Sequence, residues 1–318
     1  MNAAPIYITE ADVARLVTVE DAIATLDELF ATWGQLSTWN IPRRRAPLPG
    51  GGAFNLMGAS YGAKNVYGLK AYAGMKGGQF HTLLYSSTDG KLKAVIEADL
   101  FGQLRTGAAS GLATRLLANP DVRTLGMIGV GRQSRTQAIA VCAVRPIKRV
   151  LVFARTAESR EAYARTLEKE LGVEVRAAAS AEACVSEANV VVTITKSAVP
   201  VFRGEWLAKG THVNVAGANS GDRREVDGET VLRSAIKVTD HVEQAMLEAG
   251  EFRDLVAANK LKWSDVRELG ELVMGNLQGR KSSSDITLFK SLGIALEDVA
   301  FGELVYQRAV AAGIGRPI

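Results

Sequence analysis

Arg123-Thr-Leu-Gly-Met-Ile-Gly-Val-Gly-Arg-Gln-Ser134 is the stretch on which the reading of this chain turns. A short apolar run, Leu125 to Ile128, stops at Gly129 and Gly131. Apolar residues then recur at helical spacing through Ile139, Ala140 and Val144, and a second β-branched run, Val150 to Phe153, ends at Arg155. This is the pattern of a strand, a glycine turn, a helix and a second strand, as found in dinucleotide-binding units. Its glycines let backbone approach a pyrophosphate, and the helix N-terminus offers unpaired N–H groups. Ser134 stands where the fingerprint has its third glycine, and it is small enough for helix–strand packing. Units specific for NAD place a carboxylate at the end of the second strand, for the ribose 2′-hydroxyl. Here the residues are Ala154-Arg155-Thr156, and a guanidinium suits a 2′-phosphate, so NADP(H) is favoured and NAD(H) is possible.

The chain has 318 residues, enough for two domains with large cores. A net charge of +4 and a densest basic cluster of only Arg43-Arg44-Arg45 speak against nucleic acid as a partner. Cys142 and Cys184 fall in alanine-rich helical patterns and read as reduced core thiols. His81, His212 and His241 have no metal-ligand spacing, so no metal is expected. Residues 1–10 lack the basic start and apolar core of a leader, and no apolar run approaches the ~20 residues of a membrane span. A cytoplasmic protein without membrane partners is expected.

Outward from the glycine turn, two kinds of pattern divide the chain. Before it, Ile6 to Ile8 reads as a short strand, and Thr18-Val-Glu-Asp opens a helix with Ala22, Leu26, Leu29, Phe30 and Trp33 on one face. Residues 41–100 read as β-hairpins, with turn signals at Gly50-Gly-Gly and Asp89-Gly90 and strands near Val66 to Tyr72 and Phe80 to Ser86. Leu100 to Leu117 is a helical bridge rich in small residues, closed by Asn119-Pro120. After the turn, strands at 173–176, 190–195, 212–215 and 236–239 alternate with helix, which implies a parallel sheet. A Gly-, Ser- and Lys-rich loop at 275–284 precedes one final helix over about 288–312, which returns to the first domain. The fold class expected is α/β: a Rossmann-type parallel-sheet domain at 120–289, and a discontinuous α+β domain at 1–119 and 290–318 with an antiparallel sheet.

Three basic residues of the first domain stand out. Arg43 begins a strand-like segment, Lys70 lies in Gly68-Leu-Lys-Ala-Tyr72 among apolar neighbours, and Arg105 lies near the start of the small-residue helix, where a cation implies a nearby anion. Taken singly, each is more often a surface charge. Together they would form a carboxylate clamp.

Leu104-Arg-Thr-Gly-Ala-Ala-Ser110, Gly129-Val-Gly-Arg-Gln133, Gly204-Glu-Trp206, Gly210-Thr-His-Val-Asn-Val-Ala-Gly217 and Phe289-Lys-Ser-Leu-Gly293 together resemble the ornithine cyclodeaminase/mu-crystallin family over nearly the whole chain. The resemblance implies a homodimer of subunits that pair a substrate and dimerisation domain with a Rossmann domain, acting on 2-amino acids or their imines. Arg43, Lys70 and Arg105 match its substrate-carboxylate positions, and Arg223 matches a further basic residue on the substrate side. Thr82, Gly129, Gly131, Arg132, Gln133, Thr195, Val213 to Ala216 and Ser291 match cofactor contacts. Arg155 lies beside the position where the NAD-using cyclodeaminases carry Asp, in keeping with NADP(H). The departure is Asn219, where the cyclodeaminases carry a catalytic Asp. An amide hydrogen-bonds but is no base near neutral pH, and Asp222 is a weak substitute. A cyclic imine acid, whose C=N bond already exists, needs a clamped carboxylate, a protonated nitrogen and a hydride.

The expected function is therefore an NAD(P)H-dependent reductase of cyclic ketimine 2-carboxylates, with Lys70 and Asn219 as catalytic residues. Ornithine cyclodeaminase or an alanine dehydrogenase-type oxidoreductase is the alternative. A non-catalytic NADP(H)-binding protein is the reading from another class.

Overall fold

The structure is a computed structural model that describes residues 4–35 and 37–318. The chain begins with β1 (Ile6–Ile8), α1 (Glu10–Leu16) and α2 (Val19–Phe30). Both helices start at capping boxes, Thr9 with Asp12 and Thr18 with Asp21, each of which satisfies two otherwise unpaired N–H groups. Five strands follow: β2 (Trp39–Pro47), β3 (Ala53–Tyr61), β4 (Val66–Ala73), β5 (Phe80–Ser86) and β6 (Leu92–Glu97). Neighbours in this series pair antiparallel. Along β3, inward Asn55, Met57, Ala59 and Tyr61 alternate with outward residues, as a sheet with one covered face requires. Helix α3 (Leu100–Leu117) comes next.

The parallel half runs through β7 (Thr124–Ile128), α4 (Ser134–Val144), β8 (Arg149–Phe153), α5 (Ala157–Leu171), β9 (Glu174–Ala177), α6 (Ala181–Ser186), β10 (Val190–Thr193), β11 (His212–Val215), α7 (Gly228–Arg233), β12 (Ser234–Thr239), α8 (Val242–Glu248), α9 (Gly250–Ala257), β13 (Val266–Glu268), α10 (Leu269–Val273) and β14 (Ile286–Lys290). Its eight strands lie in the order β13-β12-β14-β11-β10-β7-β8-β9, all parallel. Every residue of β7, β10, β11 and β14 is buried. Apolar clusters cover both faces, one around Ile128, Val191, Val213 and Phe252, the other around Met127, Val150, Val192 and Val141. That double burial is why these strands read as unbroken apolar runs.

The chain ends with α11 (Ala295–Ala312) and β15 (Arg316–Pro317). The first sheet has the order β15-β1-β6-β5-β4-β3-β2 and is mixed, because β1 pairs parallel with β6. Helix α11 packs on its inner face. A Cβ on Gly68 of β4 would stand 3.2 Å from Val299 and 2.3 Å from the Leu83 carbonyl oxygen, so sheet and helix meet there on bare backbone. Phe101 and Phe301 pack with ring centroids 5.0 Å apart.

Two compact units result: residues up to Arg105 with Ile294–Ile318, and Thr106–Gly293. The sequence placed the divisions at 119/120 and 289/290, and the first three residues of that range lie outside the described ones. The structure divides inside α3 and after β14. The single final helix expected over 288–312 is corrected: Leu288 to Lys290 belong to β14, which pairs with β11 on one side and β12 on the other. Its five-residue run, Ile-Thr-Leu-Phe-Lys, is too short for its period to separate strand from helix. Likewise β10 ends at Thr193, leaving Thr195 in the loop beyond it.

Candidate functional site

A row of side chains crosses the covered face of the first sheet. Met57 of β3 pairs with Lys70 of β4, Lys70 with Thr82 of β5, and Thr82 with Ile96 of β6. The β2–β3 register slips between Ile41 and Arg44, so that Pro42 and Arg43 both oppose Met57. This bulge re-aims the strand, and it separates the three adjacent arginines: Arg43 is buried, whereas Arg44 and Arg45 are exposed. Arg43 therefore sits mid-strand rather than at its beginning. Arg105 sits inside α3, past the first turn, rather than near its start, and is buried too.

What holds Lys70 and Arg105 in the interior is the adjacent acid pair at the start of α11, which the sequence reading missed. Lys70 Nζ donates to Asp298 Oδ1 at 2.8 Å, and Arg105 Nε donates to the same oxygen at 3.0 Å. Arg105 Nη1 donates to Glu297 Oε2 at 3.0 Å. Glu297 and Asp298 are completely buried. The signal was available: two acids flanked by Leu296 and Val299 in an apolar helix need a buried counter-charge. Burial raises the Asp298 carboxyl, but the Arg105 and Lys70 charges outweigh it and hold the group below the usual carboxylate range. Burial pushes the Lys70 ammonium down to about 8; Asp298 opposes this, and the Arg105 and Arg43 charges add to it. The Lys70 ammonium is packed against α3 at Gly102, where a Cβ would stand 2.9 Å from Nζ. Asp298 Oδ2 and Thr82 Oγ1 are buried with no hydrogen-bond partner among the described residues. The cluster thus pairs Lys70 and Arg105 with two buried carboxylates and keeps polar atoms without a partner among the described residues.

In the second unit the strand order reverses between β7 and β10, the place where open α/β sheets bind ligands, beyond the strand C-termini. Gly129 follows β7 with φ +109°, and a Cβ there would stand 2.5 Å from the Ile194 carbonyl oxygen. A Cβ on Gly131 would meet nothing within 4 Å. The turn is thus tight below and open above. No side chain caps the N-terminus of α4, and Gln133 Oε1 is buried with no hydrogen-bond partner among the described residues. Arg132 is exposed, and Ser134 is buried with its hydroxyl donating to the Gly131 carbonyl. These features fit a dinucleotide pyrophosphate. Arg155 is exposed just past β8, and Thr156 caps α5.

The loop after β11 carries Ala216, Gly217, Ala218 and Asn219. Asn219 is half-buried, and Arg223 and Asp222 are exposed. Val213 and Ser291 are buried, and Thr195 is half-buried.

The model of the ornithine cyclodeaminase/mu-crystallin family matches residues 4–313. The chain belongs to this family. Within it, a delta(1)-pyrroline-2-carboxylate reductase of Bacillus cereus is 35% identical over 230 residues, 72% of this chain and 70% of that protein. Thermococcus litoralis delta(1)-pyrroline-2-carboxylate reductase, solved with NADH and L-proline, superposes with a TM-score of 0.94 at 29% identity, covering 98% of this chain and all of the other. An archaeal alanine dehydrogenase dimer with bound NAD gives 0.92 at 29% identity, with 99% of each chain covered. Family members thus include reductases and dehydrogenases solved with nicotinamide dinucleotides.

Of the basic residues matched to the family, the structure gathers Lys70 and Arg105 on one carboxylate and brings Arg43 close enough for its charge to lower the Lys70 pKa. Substituting Asp298→Asn should leave two buried cations without their shared charge. The expected loss is about 3–5 kcal/mol of unfolding free energy in urea, with the Lys70 pKa falling below its value of about 8 because the Asp298 charge that raises it has gone. A loss under ~1 kcal/mol would show that the carboxylate does not hold the cluster.

Proposed function

We propose that this protein is an NAD(P)H-dependent reductase of cyclic imines that bear a 2-carboxylate, 1-pyrroline-2-carboxylate or 1-piperideine-2-carboxylate, yielding proline or pipecolate. The observation that carries this reading is the buried pairing of Lys70 and Arg105 with Asp298, with the buried Arg43 near enough to act on Lys70, in a chain similar to reductases of that substrate class. Buried basic side chains gathered on one face suit one substrate carboxylate. The guanidinium groups of Arg43 and Arg105 bind it by charge-assisted hydrogen bonds. Lys70, its pKa lowered to about 8, is an ammonium that releases a proton near neutrality, and it protonates the imine nitrogen. Asn219 orients that nitrogen, a task an amide performs without being a base. A bound nicotinamide supplies the hydride.

The contacts proposed for the dinucleotide are Gly129, Gly131, Arg132, Gln133, Arg155, Thr195, Val213, Ala216 and Ser291, with Thr82 on the substrate side. The related structures hold NAD or NADH. The finer reading, NADP(H), rests on Arg155, an exposed guanidinium past β8 with Ala154 and Thr156 beside it and no carboxylate.

The outer face of the first sheet supports a homodimer. Trp39, Ile41, Leu56, Tyr67 and Leu69 line an open groove of about 480 Å³ there. Trp39 is 71% and Ile41 60% exposed, a costly surface in water. A second copy packing sheet on sheet through an isologous contact covers it, and the related archaeal alanine dehydrogenase is a dimer. Cys142 and Cys184 are free thiols, suited to the reducing cytoplasm. Among the described residues, no helix is long and apolar enough to cross a membrane.

The purified protein should oxidise NADPH or NADH with one of the two imines. No turnover with either, but ammonia release from ornithine, would assign a cyclodeaminase instead, and turnover confined to pyruvate plus ammonia an alanine dehydrogenase. The protonated Lys70 is the active form, so kcat/KM is full below pH ~8 and lost above it. In Lys70→Arg that limb should move out of range, while titration of the substrate itself affects both proteins alike. Lys70→Met should lower kcat by about 10²-fold or more.

Arg155→Ala should raise KM for NADPH about tenfold and leave KM for NADH unchanged. An equal effect on both would remove the case for the 2′-phosphate.

The double substitution Trp39→Asp with Ile41→Asp should turn a dimer into a monomer in analytical ultracentrifugation. A wild type that is already monomeric, or a variant that remains dimeric, would rule out this face.

A further inference from the structure

Beyond the cluster that contacts substrate in this reading, the second unit holds another set of buried charges that the proposed chemistry does not use. Glu225, fully buried, lies six residues past Asn219. One of its oxygens, Oε1, accepts from the Thr195 backbone N–H and, at 2.8 Å, from the Thr195 hydroxyl. The other, Oε2, accepts from the N–H of Gly217 at 2.6 Å and of Ala218 at 3.0 Å. The carboxylate therefore joins the loop after β10 to the loop after β11. Lys290 of β14 completes the arrangement. Its Nζ donates to the Ala218 carbonyl at 2.6 Å and to Glu251 Oε1 at 3.3 Å, and Glu251 Oε1 also accepts from the Glu225 N–H at 2.9 Å. Ala218, the residue immediately before Asn219, is thus fixed at both of its backbone polar groups by buried ionisable side chains.

We infer that Glu225, backed by Lys290 and Glu251, is a positioning residue that sets the loop bearing Asn219 and the Thr195 turn in one geometry before substrate arrives. This deepens the proposed function and rests on its assignment of Thr195, Ala216 and Asn219 to the reducing site. Four donors converge on one carboxylate, and only a carboxylate accepts at both of its oxygens. Burial raises the Glu225 pKa, and the Lys290 charge and the donors from Thr195 and Ala218 draw it back down. A loop that would otherwise sample several conformations is held in one, which is the general requirement for aligning a reacting bond.

Glu225→Gln keeps the shape and loses one accepting oxygen, so it can satisfy Thr195 or the Gly217–Ala218 amides but not both. The control is Asp227→Asn, two residues on. Asp227 accepts from Gly204 N–H, Thr230 N–H and Thr230 hydroxyl, and it tethers a segment outside the site. Both variants should lose comparable thermal stability. Glu225→Gln should also weaken NADH and NADPH binding, read by cofactor fluorescence, about tenfold, and lower kcat about tenfold or more. Asp227→Asn should keep both within twofold. Cofactor affinity and kcat unchanged in Glu225→Gln would overturn the inference. Wild-type protein that binds dinucleotide but reduces neither imine would instead sink the proposed function, and the affinity comparison would still test Glu225. Should Glu225→Gln fail to fold, amide hydrogen exchange on the cofactor-free wild type decides the matter. Thr195, Gly217 and Ala218 amides should exchange as slowly as those of β10 and β11, and fast exchange at these three would overturn the inference.

Discussion

The first unit is organised by one oxygen atom. Asp298 Oδ1 accepts from both Lys70 and Arg105, and without it two cations would lie in the interior with no counter-charge on that side. Leaving water costs each of these ions several kcal/mol, and only close pairing with hydrogen bonds offsets that. The second oxygen of Asp298 has no hydrogen-bond partner among the described residues. A buried cluster with such an oxygen and a Lys70 pKa drawn down to about 8 is suited to holding an acid and moving a proton.

The second unit solves a different problem with backbone. The sheet reverses its strand order between β7 and β10, the place where open α/β sheets bind ligands. Gly129 is what lets the turn after β7 lie against Ile194, since any side chain there would collide with a carbonyl oxygen. The loops after β10 and β11 are joined by Glu225, and the Lys290 ammonium holds the Ala218 carbonyl. Both units thus bury ionisable groups where catalysis is proposed; Asp298 lies far along the chain from the cations it holds, whereas Glu225 lies seven and eight residues from Ala218 and Gly217.

Much of this was legible in the chain. The glycine turn between two β-branched runs announced the dinucleotide unit because its φ requirement and strand burial leave local marks. The turn signals at Gly50-Gly-Gly and Asp89-Gly90, with the β-rich segments Val66 to Tyr72 and Phe80 to Ser86, announced the antiparallel strands. Less was legible where signals were short or nonlocal. β14 was read as the start of a helix because five buried residues carry no distinguishing period. Arg43, Arg44 and Arg45 were indistinguishable in sequence, since their separation depends on a bulge whose register is set by the neighbouring strand. Glu297 and Asp298 went unread as site residues, and so did Glu225.

What the sequence by itself determined, then, is the kind of each element, the presence of two units and the chemistry of the cations, because periodicity, turn residues and side-chain type act over a few neighbouring residues. Which arginine faces inward, which acid answers Lys70 and what fixes Asn219 were decided only by tertiary structure. The first depends on the register of the neighbouring strand, and the acid that answers Lys70 and Arg105 lies 228 and 193 residues away; ion pairing depends on distance in space, which the spacing of residues along a chain does not encode.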